Sequence, residues 1–190
     1  MTLFRDALRA LRLTAVLWLL TVVLYPLPLL AIGQGLFPFQ ANGSLLRVNT
    51  QVLGSALIGQ PFASKRYFWS RPSAIAYSTG DAPISSPSNL GPTNPDLVKR
   101  ITEASQMLQV AGLQDPAPDL LYSSGSGLDP HISPAAAVQQ IERVSAARRL
   151  SPDQLRQLVR RHTESRSLGL LGEPRVNVLT LNLELDRLAP

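Results

Sequence analysis

The sequence predicts an α/β protein carried on one N-terminal transmembrane helix, and three observations predict it. No charged residue occurs from Leu13 to Leu46. Three later segments open on a capping residue followed by proline, then keep apolar residues at helical spacing. Near the C-terminus, apolar and polar residues alternate as they do in a half-buried strand. The expected layout is a cytoplasmic tail over residues 1–12, a membrane helix over 13–33, and one extracytoplasmic domain over 35–190. That domain should hold a small sheet and about three amphipathic helices.

The membrane helix rests on LTAVLWLLTVVLYPLPLLAIG, Leu13 to Gly33. As a helix it is about 30 Å long, the thickness of a bilayer core. Pro26 and Pro28 each remove a backbone donor inside it, which predicts a kink or an early end near Tyr25. Arg5, Arg9 and Arg12 precede the run with only Asp6 against them, and the next charge is Arg47. This asymmetry puts the N-terminus in the cytoplasm and the following residues outside. A cleaved signal peptide, with Ala31-Ile32-Gly33 as a small-x-small site, is the rival reading, but the apolar run is long for one.

Beyond the anchor, Ser44 to Thr50 and Val52 to Ile58 read as a short strand pair. Phe68 to Pro95, rich in Pro, Ser, Gly and Asn, reads as one long loop. Helices are expected over 95–110, 134–148 and 152–163, opened by Asn94-Pro95, Ser133-Pro134 and Ser151-Pro152, with Gln154 completing a capping box on Ser151. The alternating run Leu179 to Leu185, extended by Val176 and Val178, is expected to be a strand.

Net charge is +5, from 18 Lys and Arg against 13 Asp and Glu. Nucleic acid is excluded as a partner by the topology, since the arginine-rich part lies outside the membrane. Solvated helix faces account for the arginines between Arg143 and Arg166, with anionic headgroups or an acidic protein surface as the second reading. The absence of cysteine removes disulfides, thiolate metal sites and a cysteine nucleophile. Two histidines and scattered acids show no metal-ligand spacing.

One segment concentrates chemistry: SSGSGLDPHIS, Ser123 to Ser133. Ser126, Asp129 and His131 suggest a catalytic triad, but six residues of chain cannot line up hydroxyl, imidazole and carboxylate. No G-x-S-x-G elbow is present, and no Lys-Ser or Lys-Thr follows the glycines as a phosphate loop requires. A structured turn accounts for the segment instead. Ser124 and Ser126 sit among glycines, Gly125 and Gly127 permit positive φ, Asp129 before Pro130 forms an Asx turn, and Ser133 caps a helix. His162 falls on the apolar spacing of the third helix and reads as packed or capping.

These motifs together resemble a known family, the C subunit of the bacterial high-affinity potassium-transporting ATPase, or Kdp complex. The resemblance rests on Tyr25-Pro26, QANGSLLR (Gln40 to Arg47), GSALIGQPF (Gly54 to Phe62) and YFWSRPSA (Tyr67 to Ala74). It continues through SNLGPTNP (Ser88 to Pro95), SGSGLDPHIS (Ser124 to Ser133), RVSAAR (Arg143 to Arg148) and LGEPRVNVLTLNLELD (Leu171 to Asp186). Ser86-Pro87 departs from it, standing where family members commonly carry a Gly-Gly pair. The resemblance implies a non-catalytic, single-pass inner-membrane subunit, partnered by a potassium-translocating subunit and a P-type ATPase subunit. It also implies a part in assembly and in raising the ATPase subunit's affinity for ATP. No cofactor is expected on the chain itself, ATP and potassium belonging to the complex. Trp18, Tyr25, Pro26 and Pro28 are the expected helix-packing residues, and Ser124 to Ser126, Gly127, Asp129 and His131 the expected turn and subunit contact. A membrane-anchored envelope hydrolase and a stand-alone surface-binding module are the alternatives.

Overall fold

The computed structural model describes residues 2–79 and 84–188, so residues 80–83 of the expected long loop lie outside the described residues. The chain divides into two compact units, Met1–Leu53 and Gly54–Pro190.

The first unit begins with helix α1, Thr2–Trp18, followed by a π-helical stretch over Leu19–Leu24 and helix α2, Pro26–Leu36. The whole run of 35 residues is long and apolar enough to cross a membrane, and none of its most apolar stretch is buried against protein. The prolines do perturb it, though not by ending it. A proline ring collides with the carbonyl four residues back in a regular helix. Here the preceding turn is widened instead: the Tyr25 amide donates to the Leu20 carbonyl five residues back, at 2.9 Å. Pro26 then sits at the first turn of α2, where its missing N–H is harmless. After Phe37 a single turn, α3 (Pro38–Ala41), folds back on the end of α2. Asn42 Nδ2 holds it there, donating to Gln34 Oε1 at 3.0 Å and to the Pro38 carbonyl at 2.6 Å. A hairpin of β1 (Leu45–Val48) and β2 (Gln51–Ser55) follows, its turn made by Asn49 and Thr50, both at positive φ.

The second unit contains the expected helices. They are α4 (Pro95–Val110), α5 (Pro134–Gln139), α6 (Ile141–Arg148) and α7 (Pro152–Arg161), with the second prediction split in two at Gln140. Each cap works as the sequence suggests. Asn94 accepts from the Asp96 amide, Ser133 from that of Ala136, and Ser151 forms the capping box with Gln154. A small antiparallel sheet runs in the order β3 (His131–Ile132), β5 (Arg175–Asn177), β4 (Thr163–Glu164). Ile132 and Thr163 lie opposite Val176 from either side.

The C-terminal strand is the main correction. Only Arg175–Asn177 is extended, and Val178–Leu188 is helix α8. The alternation from Leu179 also fits a helix, because Val178, Leu181, Asn182 and Leu185 form one buried stripe at three- and four-residue spacing. Leucine and glutamate favour helix over strand. Asn177 supplies the start signal, its Oδ1 accepting from the Thr180 amide at 3.2 Å. The core gathers Phe68, Ile132, Ile141, Val144, Leu155, Val176, Leu181 and Leu185, all at most 2% exposed.

Candidate functional site

Four buried polar side chains of the second unit, Gln140, Arg143, Arg148 and Asn182, converge on one segment, Lys65 to Trp69. Five successive carbonyls there accept hydrogen bonds from side chains. Arg143 donates to the Lys65 and Tyr67 carbonyls at 2.8 and 2.9 Å, and Arg148 Nε to that of Arg66 at 2.8 Å. Asn182 donates to the Phe68 carbonyl at 2.9 Å, and Gln140 to that of Trp69 at 3.1 Å. The two amides are reciprocal, since Asn182 Oδ1 accepts from the Phe68 N–H at 2.9 Å and Gln140 Oε1 from that of Trp69 at 2.7 Å. Each amide thus pairs one residue of the segment as a neighbouring strand would.

The arginines on these positions are therefore not solvated. Arg143 and Arg148 are buried, against the expectation of exposed helix faces, while Arg156, Arg160 and Arg161 on α7 fit that expectation. Among the described residues Arg143 has no carboxylate partner; it lies over the Trp69 ring at 3.7 Å, and burial pushes its guanidinium down to about 10, still charged at neutral pH. Arg148 stacks over Tyr67 and pairs with Asp186, which also accepts from the Tyr67 hydroxyl at 3.1 Å.

The Ser123–Ser133 segment is a second node. Its carbonyls are taken up by distant chain: Ser126 O by the Ser86 amide at 3.0 Å, Gly127 O by Ser73 Oγ at 2.7 Å, Leu128 O by the Gly59 amide at 2.7 Å, and Pro130 O by the Val178 amide at 2.9 Å. Ser124 is buried, with its hydroxyl 3.5 Å from that of Ser126. Ser126 Oγ accepts from the Leu128 amide at 3.1 Å rather than facing an imidazole. Asp129 forms the Asx turn, accepting from the His131 amide at 3.0 Å, and its carboxylate also meets His131 Nδ1 and Arg71, each at 3.2 Å. Burial works to raise the Asp129 carboxyl, but the His131 hydrogen bonds and the Arg71 charge outweigh it and hold the group below the ordinary carboxylate range. Asp129 and His131 are thus brought together while Ser126 is turned elsewhere. Gly127 adopts φ +69°, and Gly125 does not use a left-handed backbone.

Tyr77 buttresses the same node. Its ring packs where a Cβ on Gly59 would sit, its hydroxyl donates to the Arg71 carbonyl, and burial pushes the phenol up to about 12. His162 caps the end of α7; burial lowers its imidazole, with Glu184 opposing. Trp18 and Tyr25 are 58% and 67% exposed on the apolar helix, with Pro26 and Pro28 on its next turn. Among the described residues no cluster of His, Asp and Glu could hold a metal. Sequence reasoning missed Gln140 and Asn182; the one available signal was for Asn182, an amide interrupting the apolar helical stripe of Val178, Leu181 and Leu185.

This geometry defines a class of protein: a domain carried behind one membrane-length helix, whose buried charges and amides are committed to holding its own backbone. Comparison with known proteins gives the particular family. Residues 7–187 match the model for KdpC, the K+-transporting ATPase c chain. The chain is 58% identical over 189 residues to the potassium-transporting ATPase KdpC subunit of a Synechocystis strain, covering 97% of this chain and 99% of that one. It is 54% identical to the KdpC subunit of an Anabaena strain (98% and 95% covered) and 54% identical to that of Methylococcus capsulatus (97% of each). The chain belongs to the KdpC family, the non-catalytic subunits of the potassium-transporting Kdp ATPase complex.

Proposed function

We propose that this chain is a scaffold within the complex, with its N-terminus in the cytoplasm, its helix packed against the potassium-translocating and P-type ATPase subunits, and its second unit outside. The reading is carried by the commitment of Arg143, Arg148, Gln140 and Asn182 to one backbone segment, which cross-links the domain internally and gives these groups a structural role. Such a domain contributes shape and surface rather than turnover. The flanking charges Arg5, Arg9 and Arg12 support the orientation. With the domain outside, any effect on ATP affinity is indirect: helix and domain bias the conformation of the ATPase subunit, whose nucleotide is cytoplasmic. The node around Ser124, Gly125, Ser126, Gly127, Asp129 and His131 supports a subunit contact by its rigidity. Lipid is the helix's other neighbour.

Helices associate in lipid through close packing, since lipid already solvates apolar side chains. The widened turn before Pro26 and the rings of Trp18 and Tyr25 give this helix a local shape that poly-leucine lacks. Replacing residues 13–33 by leucines should weaken co-purification of the complex and lower potassium uptake at limiting potassium. Normal assembly and uptake by that variant would move the binding energy to the domain surface.

A further inference from the structure

The hairpin between β4 and β5 ends in a tip that the folded domain does not explain. Leu168, Leu170 and Leu171 are 91%, 81% and 64% exposed. Ser167 and Leu171 exchange both backbone hydrogen bonds, at 2.8 and 2.9 Å, and the Leu170 amide closes the turn onto the Ser167 carbonyl at 3.2 Å. The two residues inside that turn, Leu168 and Gly169, stand at φ +54° and +74°. A turn with two left-handed residues favours asparagine or glycine. Leucine there is strained, and its side chain gains nothing from the fold. The hairpin stem is nevertheless held stiffly, Arg166 gripping both oxygens of Glu173 at 2.9 and 2.7 Å and Arg175 Nε meeting Glu164 at 2.9 Å. The result is a preformed apolar wedge on a rigid stem.

Charge around the wedge indicates what receives it. Between Arg160 and Arg175 the chain carries four arginines against two glutamates. Both glutamates are already paired, and Arg160 and Arg161 are exposed with no ion pair among the described residues. An apolar hairpin tip in a segment with an excess of arginine, two of them exposed at the end of the helix that leads into the hairpin, is the pattern of a segment that enters the headgroup region of an anionic bilayer. The apolar helix of the same chain keeps a bilayer at high local concentration, so a small wedge suffices as a second hold.

We propose that Leu168, Leu170 and Leu171 insert into the surface of the bilayer, with Arg160 and Arg161 on anionic headgroups, as a second membrane attachment of the domain. This rests on the family reading only in taking the helix as a membrane anchor. The chain has no cysteine, so each single-cysteine variant, labelled before assembly with its partners, takes the label at one position. Full-length Leu170→Cys, carrying an environment-sensitive fluorophore, would be reconstituted in vesicles of phosphatidylcholine and phosphatidylglycerol, alone and within the whole complex. Val110→Cys, 88% exposed on α4, is the control. In both preparations the Leu170 label should shift to the blue and be quenched by headgroup-depth spin-labelled lipid at least about twofold more than the Val110 label. Serine at Leu168 and Leu171 should abolish the difference, and pure phosphatidylcholine should reduce it. Emission typical of water, or quenching equal to the control, would overturn the proposal. So would a label shielded only in the complex and insensitive to the lipid quencher, which would make the tip a protein contact. Failure of the scaffold reading would show in assembly, which this experiment does not measure.

Discussion

At Gly127 any side chain meets two obstacles at once. The backbone is left-handed, at φ +69°, and a Cβ would lie 2.7 Å from Ile75 Cγ1 and 2.8 Å from the Ser86 carbonyl. Gly125, two residues away, has open space where its Cβ would be. Gly127→Val should therefore destabilise the domain by about 2–5 kcal/mol, combining backbone strain with overpacking. Gly125→Val should stay within about 0.5 kcal/mol, as for an unconstrained surface site. Ser126→Ala removes one turn hydrogen bond and should cost about 1 kcal/mol with potassium transport retained. Thermal or denaturant unfolding of the full-length protein in detergent checks the ranking, and transport assays check the serine. Loss of transport in a folded Ser126→Ala variant would instead support a nucleophile. The sequence showed that this segment turns, because its Gly, Ser and Asp-Pro signals are local. It could not show which glycine was irreplaceable, because Ile75 and Ser86 reach Gly127 from about 40 to 50 residues away in sequence.

For elements, legibility followed the caps. Helices opened by Asn94, Ser133 and Ser151 were predictable because cap, proline and apolar period agreed. The C-terminal helix α8 was misread because a period of two in LTLNLEL masked the stripe Val178, Leu181, Asn182, Leu185. That error also hid part of the site. A strand would have turned Asn182 away from the apolar face, whereas the helix points it at the backbone of Phe68. Asn182→Leu separates the two readings. On a solvent-facing strand position it would be harmless. On α8 it strips both polar groups of buried Phe68 and should cost about 2–5 kcal/mol, measured by denaturant unfolding. An unchanged midpoint would refute the account of the Lys65–Trp69 segment. Gln140 was illegible for a related reason: it sits at the break between α5 and α6, where no period assigns a facing.

For the whole molecule, the flanking charges predict that the second unit lies outside the cytoplasm. The flanking arginines were readable from sequence alone, since charge bias acts without tertiary contacts. A reporter active only outside the cytoplasm, fused at the C-terminus, should be active, and the full-length protein should remain with the membrane fraction. Activity of a cytoplasm-only reporter at the same position would reverse the topology, and with it the argument for an indirect effect on ATP affinity. A soluble product beginning near Gln34 would restore the signal-peptide reading.

The cross-links on the Lys65–Trp69 segment also set an order of events during synthesis. Phe68 is held by Asn182 and Tyr67 by Asp186, separations of 114 and 119 residues. Such contacts close late, because the intervening chain must be ordered first. Ribosomes add about 5–20 residues per second, so α8 emerges roughly 7–30 s after the end of α2. For that interval the apolar helix is complete while the domain behind it has no lock. A nascent chain can therefore meet lipid and neighbouring helices as a tethered, unfinished polypeptide. The arrival of α8 then decides when it becomes rigid.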